Sequence, residues 1–315
     1  MRFSVQLPTE QVERQQEFLT GPAISQMARA VEDAGFDACF VTDHPFPPDR
    51  WLSAGGHHAL DPFVALSLAA AATTRLRLQT HVLVLGYRNP FLMAKAAASL
   101  DVLSGGRLIL GVAAGYLKGE FAALGGDFEQ RNQRADEALV ALKAAWTQNG
   151  VSLEGSDFRA RGNTMLPRPL QKPHPPVWIG GNSRRAIRRA ATLGDGWLPF
   201  PTQPGAASHL KTAALEKPAQ LKERISYLKE QAAAAGRTEP LDVCFMPFGM
   251  DMFSKAPLDP AHMLDTVAEL ADIGVTWLSI WLAADTRAEY CDRIAAFGTN
   301  IIARSVPLVQ RRLEY

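Results

Sequence analysis

The hydrophobic pattern of the chain switches repeatedly between strand-like runs and helical stripes. Phe3 to Leu7 reads as a strand. Ile24, Met27, Ala28 and Val31 then recur at i, i+3, i+4 and i+7, one stripe of an amphipathic helix, and Gly35 suits its C′ position. Phe36 to Thr42 is the next strand. Asp61-Pro62 pairs an N-cap with a proline at N1 and opens an alanine-rich helix. Leu76 to Leu85 is a long apolar strand. Asn89-Pro90 repeats the cap and starts a helix that ends at Ser104-Gly105-Gly106, and Arg107 to Val112 is a fourth strand.

After Gly115 the pattern loosens. Residues 117–147 carry helical periodicity, with Leu139, Leu142 and Trp146 on one stripe. Residues 150–175 are rich in Gly, Pro and Arg without a clear period, and are expected to form an irregular insertion after strand four. Val177 to Ile179 is a fifth strand, followed by a helix through Ile187, Ala190 and Ala191. Gly196 to Leu198 is strand six, residues 216–236 a polar helix, and Val243 to Phe248 strand seven. Asp259-Pro260 caps a further helix that ends at Gly274; Thr276 to Trp281 is strand eight, and residues 285–304 form the last helix. About eight strand–helix units in this length predict an α/β fold, a (β/α)₈ TIM barrel formed as a single domain over residues 1–315. An open doubly wound sheet is the alternative, but no strand-to-helix turn carries Gly-x-Gly-x-x-Gly.

Composition narrows the function. Hydrophobic residues make up 47% and charged residues 21%, enough apolar material for a large core. Lys plus Arg (33) nearly balances Asp plus Glu (32), which leaves no electrostatic footprint for nucleic acid or an anionic membrane surface. No apolar run approaches the roughly 20 residues of a membrane span. The chain opens on its first strand without a basic and apolar leader, so a cytoplasmic protein is expected. Cys39, Cys244 and Cys291 are odd in number and widely spaced, as reduced packing residues would be.

Barrel chemistry sits at the C-terminal ends of the strands. Strand two ends in Thr42-Asp43-His44-Pro45, where a carboxylate and an imidazole can hold a ligand or relay a proton. The same pair would equally serve as a loop cap and a surface histidine. Strand four runs out through Gly111-Val112-Ala113-Ala114-Gly115-Tyr116, glycines that either admit a flat ligand to the backbone or pack a barrel corner. Strand five ends Ile179-Gly180-Gly181-Asn182-Ser183 and a helix follows at once. Free N–H groups and the helix dipole there favour a phosphate over ordinary capping, with Arg184 and Arg185 adding charge. His57, His58 and Asp61 form a weak metal pattern, because Asp61 is better used as an N-cap. No H-E-x-x-H, Gly-x-Ser-x-Gly or P-loop is present.

Three longer stretches resemble a known family. They are Phe40-Val41-Thr42-Asp43-His44; then Leu100-Asp101-Val102-Leu103-Ser104-Gly105-Gly106-Arg107-Leu108-Ile109-Leu110-Gly111-Val112; then Pro173-His174-Pro175-Pro176-Val177-Trp178-Ile179-Gly180-Gly181, continuing to Leu193-Gly194-Asp195-Gly196-Trp197. Together they resemble the luciferase-like monooxygenase superfamily, in its branch of coenzyme F420-dependent oxidoreductases. The resemblance implies a barrel with an insertion after strand four or five, usually a homodimer, with a flavin or deazaflavin ring in the barrel mouth. It implies a bulge at the end of strand three, often with a non-proline cis peptide, against the ring. The matching residues are Thr80 to Val84, so His81, Val82 and Val84 are expected at the cofactor. Asp43 and His44 are expected near the ring, Gly115 beside it, and Gly180, Gly181 and Asn182 at the phosphate.

One position departs from that pattern. Relatives acting on sugar-type alcohols carry a glutamate after the strand-four glycine, whereas this chain has Tyr116, which argues against a sugar dehydrogenase. Tyr116 would donate a proton or wall the pocket, and Glu120 is expected to face away on the inserted helix. The resemblance thus implies hydride transfer between F420 and a small organic substrate, with His44 handling the proton and Tyr116 as a second catalytic candidate. An FMN-dependent monooxygenase, fed reduced flavin by a partner reductase, and a non-enzymatic flavin-binding barrel are the alternatives. Substrate choice is expected to lie in residues 45–60, 116–128 and 150–175.

Overall fold

The computed structural model describes residues 1–202 and 212–305. Residues 203–211 and 306–315, included in the expected 1–315 domain, lie outside the described residues. In chain order the elements are β1 (Arg2–Gln6), α1 (Gln15–Phe18), α2 (Gly21–Asp33), β2 (Ala38–Val41), α3 (Asp49–Leu52), α4 (Pro62–Ala72), β3 (Arg77–Val84), α5 (Pro90–Leu103), β4 (Leu108–Ala113), α6 (Lys118–Ala123), α7 (Arg131–Thr147), β5 (Val151–Gly155), β6 (Phe158–Asn163), β7 (Val177–Gly180), α8 (Arg184–Leu193), β8 (Gly196–Leu198), α9 (Pro218–Ala234), β9 (Asp242–Phe245), α10 (Pro260–Asp272), β10 (Trp277–Ile280) and α11 (Arg287–Phe297). The parallel strands close in the order β1-β10-β9-β8-β7-β4-β3-β2, the expected (β/α)₈ barrel.

Local chemistry sets where the outer helices begin. The Asp61 side chain accepts from the N–H groups of Phe63 and Val64, Asn89 from Phe91 and Leu92, and Asp259 from Ala261 and His262. In each case a proline follows the cap, where its missing N–H costs nothing and its fixed φ already suits the helix.

Alternation along the strands sorts side chains into two layers. Phe3, Val5, Cys39, Val41, Leu78, Leu110 and Ile179 face outward and join the helices in the main core. Ala38, Ile109, Trp178, Leu198, Cys244 and Trp277 fill the barrel, with the Trp178 and Trp277 rings edge to face at 5.2 Å. Among the described residues no helix is long and apolar enough to cross a membrane. Cys39, Cys244 and Cys291 are free thiols.

One expectation is corrected. The stretch 150–175 is not irregular throughout: β5 and β6 pair as an antiparallel hairpin. Val151 and Ala160 are buried against Ala144, with Leu153 and Phe91 beside them, and the Ser156 N–H at the turn donates to Glu137 at 2.7 Å. The helical region 117–147 divides into α6 and α7, because residues around Gly125 and Gly126 turn the chain between them.

The longest barrel strand, β3, is also the one that breaks its register. Pairing with β4 shifts between Thr80 and Leu83, and the His81–Val82 peptide is cis. At this bend β4 comes very close: the Thr80 hydroxyl donates to the Gly111 carbonyl at 2.7 Å, and a Cβ on Gly111 would overlap the Thr80 carbonyl oxygen. Gly111 is therefore a packing residue. Neither backbone can yield, so Gly111→Ala should destabilise the fold by about 3 kcal/mol, the upper range for overpacking, read as a lowered midpoint in urea unfolding.

Candidate active site

The barrel mouth is organised from the end of β2. Asp43 is 3% exposed, and its carboxylate accepts from the Val84 N–H at 3.0 Å and from both terminal nitrogens of Arg88 at 2.6 and 2.8 Å. Sequence placed Asp43 at a ligand; the structure commits both its oxygens to the end of β3. Just before it, Thr42 Oγ1 is buried without a hydrogen-bond partner.

His44 is the next residue. Its Nδ1 lies 3.3 Å from Glu120 Oε2. A carboxylate only accepts, so Nδ1 carries the hydrogen and Nε2 is left for a ligand. Glu120 also accepts from the Phe46 N–H at 2.9 Å and the Tyr87 hydroxyl at 2.8 Å. Burial alone would raise its pKa. The hydrogen bonds from His44, Phe46 and Tyr87 outweigh that and hold it below the ordinary carboxylate value. The expectation that Glu120 faces away is thus overturned. Its side chain is wholly buried, since α6 turns it and Phe121 inward together. No local pattern distinguishes it from the exposed Glu129, and only its three partners reveal it.

Two aromatic residues from the 45–60 loop complete this wall. The Trp51 ring lies 4.4 Å from His44 at a 37° tilt, and the His57 ring stands edge-on at 5.0 Å. Gly56 lets the loop lie on the indole, because a Cβ there would run into the Trp51 ring. His57 Nδ1 is 2.9 Å from the His58 carbonyl, so that nitrogen bears the hydrogen. Burial, aided by neighbouring His44 and His58, lowers the His57 pKa to about 4. Tyr116 is pushed up to about 12, chiefly by burial and further by the Glu120 charge, against a hydrogen bond from Trp51. It remains a phenol at neutral pH and can donate. Sequence reasoning did not single out Trp51 as a site residue and weighed His57 only as a weak metal candidate. No group of His, Cys, Asp and Glu suited to a metal occurs among the described residues.

On the adjacent strand, beside this wall, is the β3 bend. His81 Nδ1 is 3.1 Å from Gln79 Nε2, and its ring lies 4.6 Å from Phe40 and 5.7 Å from Trp281. It keeps some surface, yet the surrounding protein lowers its pKa to about 4 by burial. Val82 is half-buried against the barrel interior. Val84, by contrast, packs with Tyr87 and Phe121. Gly115, at φ +85°, has its missing Cβ directed at Val84 and Phe121, so close packing at the corner accounts for this glycine.

The end of β7 is arranged differently from expectation. Asn182 is 1% exposed; its amide donates to the carbonyls of Phe200 and Ala213 at 2.8 and 3.2 Å and accepts from the Phe200 N–H at 3.0 Å. Its side chain is a clasp for the chain after β8. Arg184 lies over the Tyr227 ring and Arg185 pairs with Asp136 at 3.0 Å, so neither adds charge at the turn. The Gly181 N–H donates to Leu198. What remains for an anion is the N-terminal turn of α8 beyond Ser183, with Gly180 and Gly181 keeping side chains out of the way.

The family model described as luciferase-like monooxygenase matches residues 1–249. The chain is 39% identical over 174 residues to the FMNH(2)-dependent dimethylsulfone monooxygenase of Pseudomonas putida, covering 54% of this chain and 46% of that protein. It is 35% identical over 175 residues to the F420-dependent glucose-6-phosphate dehydrogenase of Intrasporangium calvum, covering 53% of this chain and 50% of the other. The monooxygenase RslO1 from Streptomyces bottropensis superposes with a TM-score of 0.75 at 20% identity, over 96% of this chain and 99% of that one. At that identity the match concerns the fold.

The lowered pKa of His57 makes the fold sensitive to acid. A histidine held neutral in the folded state leaves the unfolded chain to bind the proton, so its stabilising contribution is complete above pH 6.5 and is lost as pH falls towards 4. Thermal melts over that range should show the wild type losing about 1–2 kcal/mol more than His57→Asn, a figure reduced from the full shift because the ring keeps contact with water. Equal slopes would remove His57 from this account.

Proposed function

The chain belongs to the luciferase-like monooxygenase family, and on that premise we propose that it is an F420-dependent oxidoreductase moving hydride between the deazaflavin and a small organic substrate. The observation that supports this reading is the pair of His44 and buried Glu120, an imidazole whose Nδ1 is engaged by the carboxylate. Two-electron chemistry by hydride needs an accompanying proton, and an oriented imidazole supplies or removes one.

The mouth suits a flat heteroaromatic ring. Thr42 Oγ1 is a buried hydroxyl in want of a partner, Val82 is partly exposed at the bend, and Gly180 leaves the floor beside Val82 without a side chain. Thr42, Val82 and Gly180 would hold the ring, and the start of α8 after Gly181 would take the phosphate. When bound, the deazaflavin carries or accepts the hydride at a ring carbon and does not activate oxygen. His44 Nε2 gives the proton when a carbonyl-type substrate is reduced and takes it when an alcohol is oxidised. Glu120 holds the imidazole in orientation. Trp51 and His57 shield that proton from bulk water, and Tyr116 lends an uncharged hydrogen bond to substrate.

A second reading is an FMN-dependent monooxygenase supplied with reduced flavin by a partner reductase. The Pseudomonas putida relative favours it, being named for FMNH(2). Fluorescence titration with each cofactor decides between them. Binding to F420 with little affinity for FMN supports the first reading, whereas submicromolar FMN binding without F420 binding, together with oxygen uptake, replaces it by the second. His44→Ala should slow turnover by about 10²–10⁴-fold while cofactor affinity changes less than tenfold. Loss of cofactor with the rate intact at saturation would make His44 a binding residue.

We also propose that the chain works in the cytoplasm as a homodimer. The outer faces of α4 and α5 expose Val64 (64%) and Leu92 (73%), apolar side chains that a second copy would cover. Sedimentation analysis at micromolar concentration should give twice the 34.3 kDa chain mass, and a monomer would refute the dimer.

A further inference from the structure

We propose that His81 is a specificity-determining residue, an imidazole locked in one tautomer that offers its Nε2–H from the barrel mouth to a hydrogen-bond acceptor on the bound ring. The proposal rests on the reading that this mouth holds a flavin-type ring.

The lock begins one layer below. Gln79 is completely buried, and its Oε1 lies 2.7 Å from Ser4 Oγ. That separation is typical of O–H···O and at the short limit for N–H···O, so the hydroxyl donates to the amide oxygen. Nε2 therefore faces His81, 3.1 Å from Nδ1. An amide nitrogen only donates, so Nδ1 must present its lone pair. A neutral imidazole has one N–H, and it is left on Nε2.

The surroundings keep the ring neutral. Phe40 and Trp281 flank it, and burial is the only cause acting on its pKa, which falls to about 4. With no charged group contributing, the ring has nothing to draw a second proton onto it near neutral pH. A ring held neutral with its N–H fixed on one nitrogen is suited to recognition.

Direction follows from the strand. From Gln79 to His81, β3 runs towards its C-terminal end, which is the mouth of the barrel. His81 keeps surface there while Gln79 has none. Nδ1 is turned down to Gln79, so Nε2 lies on the other edge of the ring, and no protein group among the described residues hydrogen-bonds it. An N–H held at the mouth in this way favours a ligand that brings a carbonyl oxygen or a ring nitrogen to it. It disfavours one that brings a donor, because the N–H would then be left unpaired.

The experiment uses the full chain. Long-range ¹H–¹⁵N NMR of the labelled protein, with the His81 signals identified by their loss in His81→Gln, should show the Nε2-protonated tautomer and no titration between pH 5 and 9. An Nδ1-protonated ring, or a midpoint near 6.5, overturns the proposal whatever the cofactor. In parallel, F420 and FMN are titrated separately by fluorescence. For whichever binds the wild type, His81→Phe should weaken binding at least tenfold, and His81→Gln, which keeps a side-chain N–H, should return it to within threefold. Wild-type affinity in a folded His81→Phe overturns the ring contact. A wild type that binds neither cofactor overturns the functional reading and the ring contact with it, while the NMR result decides the tautomer on its own.

Discussion

The mouth of this barrel depends on the buried carboxylate of Asp43. It grips the Val84 N–H and the Arg88 guanidinium at once, and so ties the end of β2 to the far side of the β3 bend. An ion pair this enclosed is costly to break from one side, because a buried charge would be left unpaired. Two consequences follow for chemistry. The residue after Asp43 is His44, which is delivered to Glu120. A little before Val84 are His81 and Val82, which lie at the bend of the adjacent strand. One carboxylate thus anchors both of these parts of the site.

Electrostatics then divides the labour among groups that look alike in sequence. His57 and His81 are both kept uncharged, chiefly by burial, and Tyr116 keeps its proton for the same reason. Glu120 is moved the other way, because three hydrogen bonds to its carboxylate outweigh its burial. His44 is the imidazole paired with that carboxylate, which makes it the natural place for a mobile proton. The rest of the mouth offers fixed hydrogen bonds and apolar surface.

The corrections share a physical theme. Asp43, Asn182, Arg184 and Arg185 are the polar groups that motif reading assigns to a ligand, and each is engaged by the protein. Polar groups at the rim must be satisfied before the ligand arrives, and the cheapest partners are neighbouring backbone and side chains. Glu120 is the converse: a residue assigned to solvent becomes the partner of His44, because the chain folds back from β4 and brings α6 over the end of β2.

The barrel itself was legible from sequence. Strand runs, helical stripes and the Asp-Pro and Asn-Pro starts at Asp61, Asn89 and Asp259 are local signals, and local propensity and capping decide local structure. The rim positions of His44, His81 and Gly181 were also legible, because a parallel barrel puts strand C-termini on one face. The hairpin at 151–163 escaped notice because its strands are stabilised mainly by packing on α7 and Phe91 rather than by a strong pattern of their own. Which polar group meets which lay beyond sequence altogether. Glu120 reaches His44 across 76 residues and Gln79 reaches Ser4 across 75, and such distances in the chain are closed only when the barrel closes. Sequence determined the scaffold and the face on which chemistry occurs. Tertiary contact decided the protonation states, because those depend on burial and on partners that no local stretch contains.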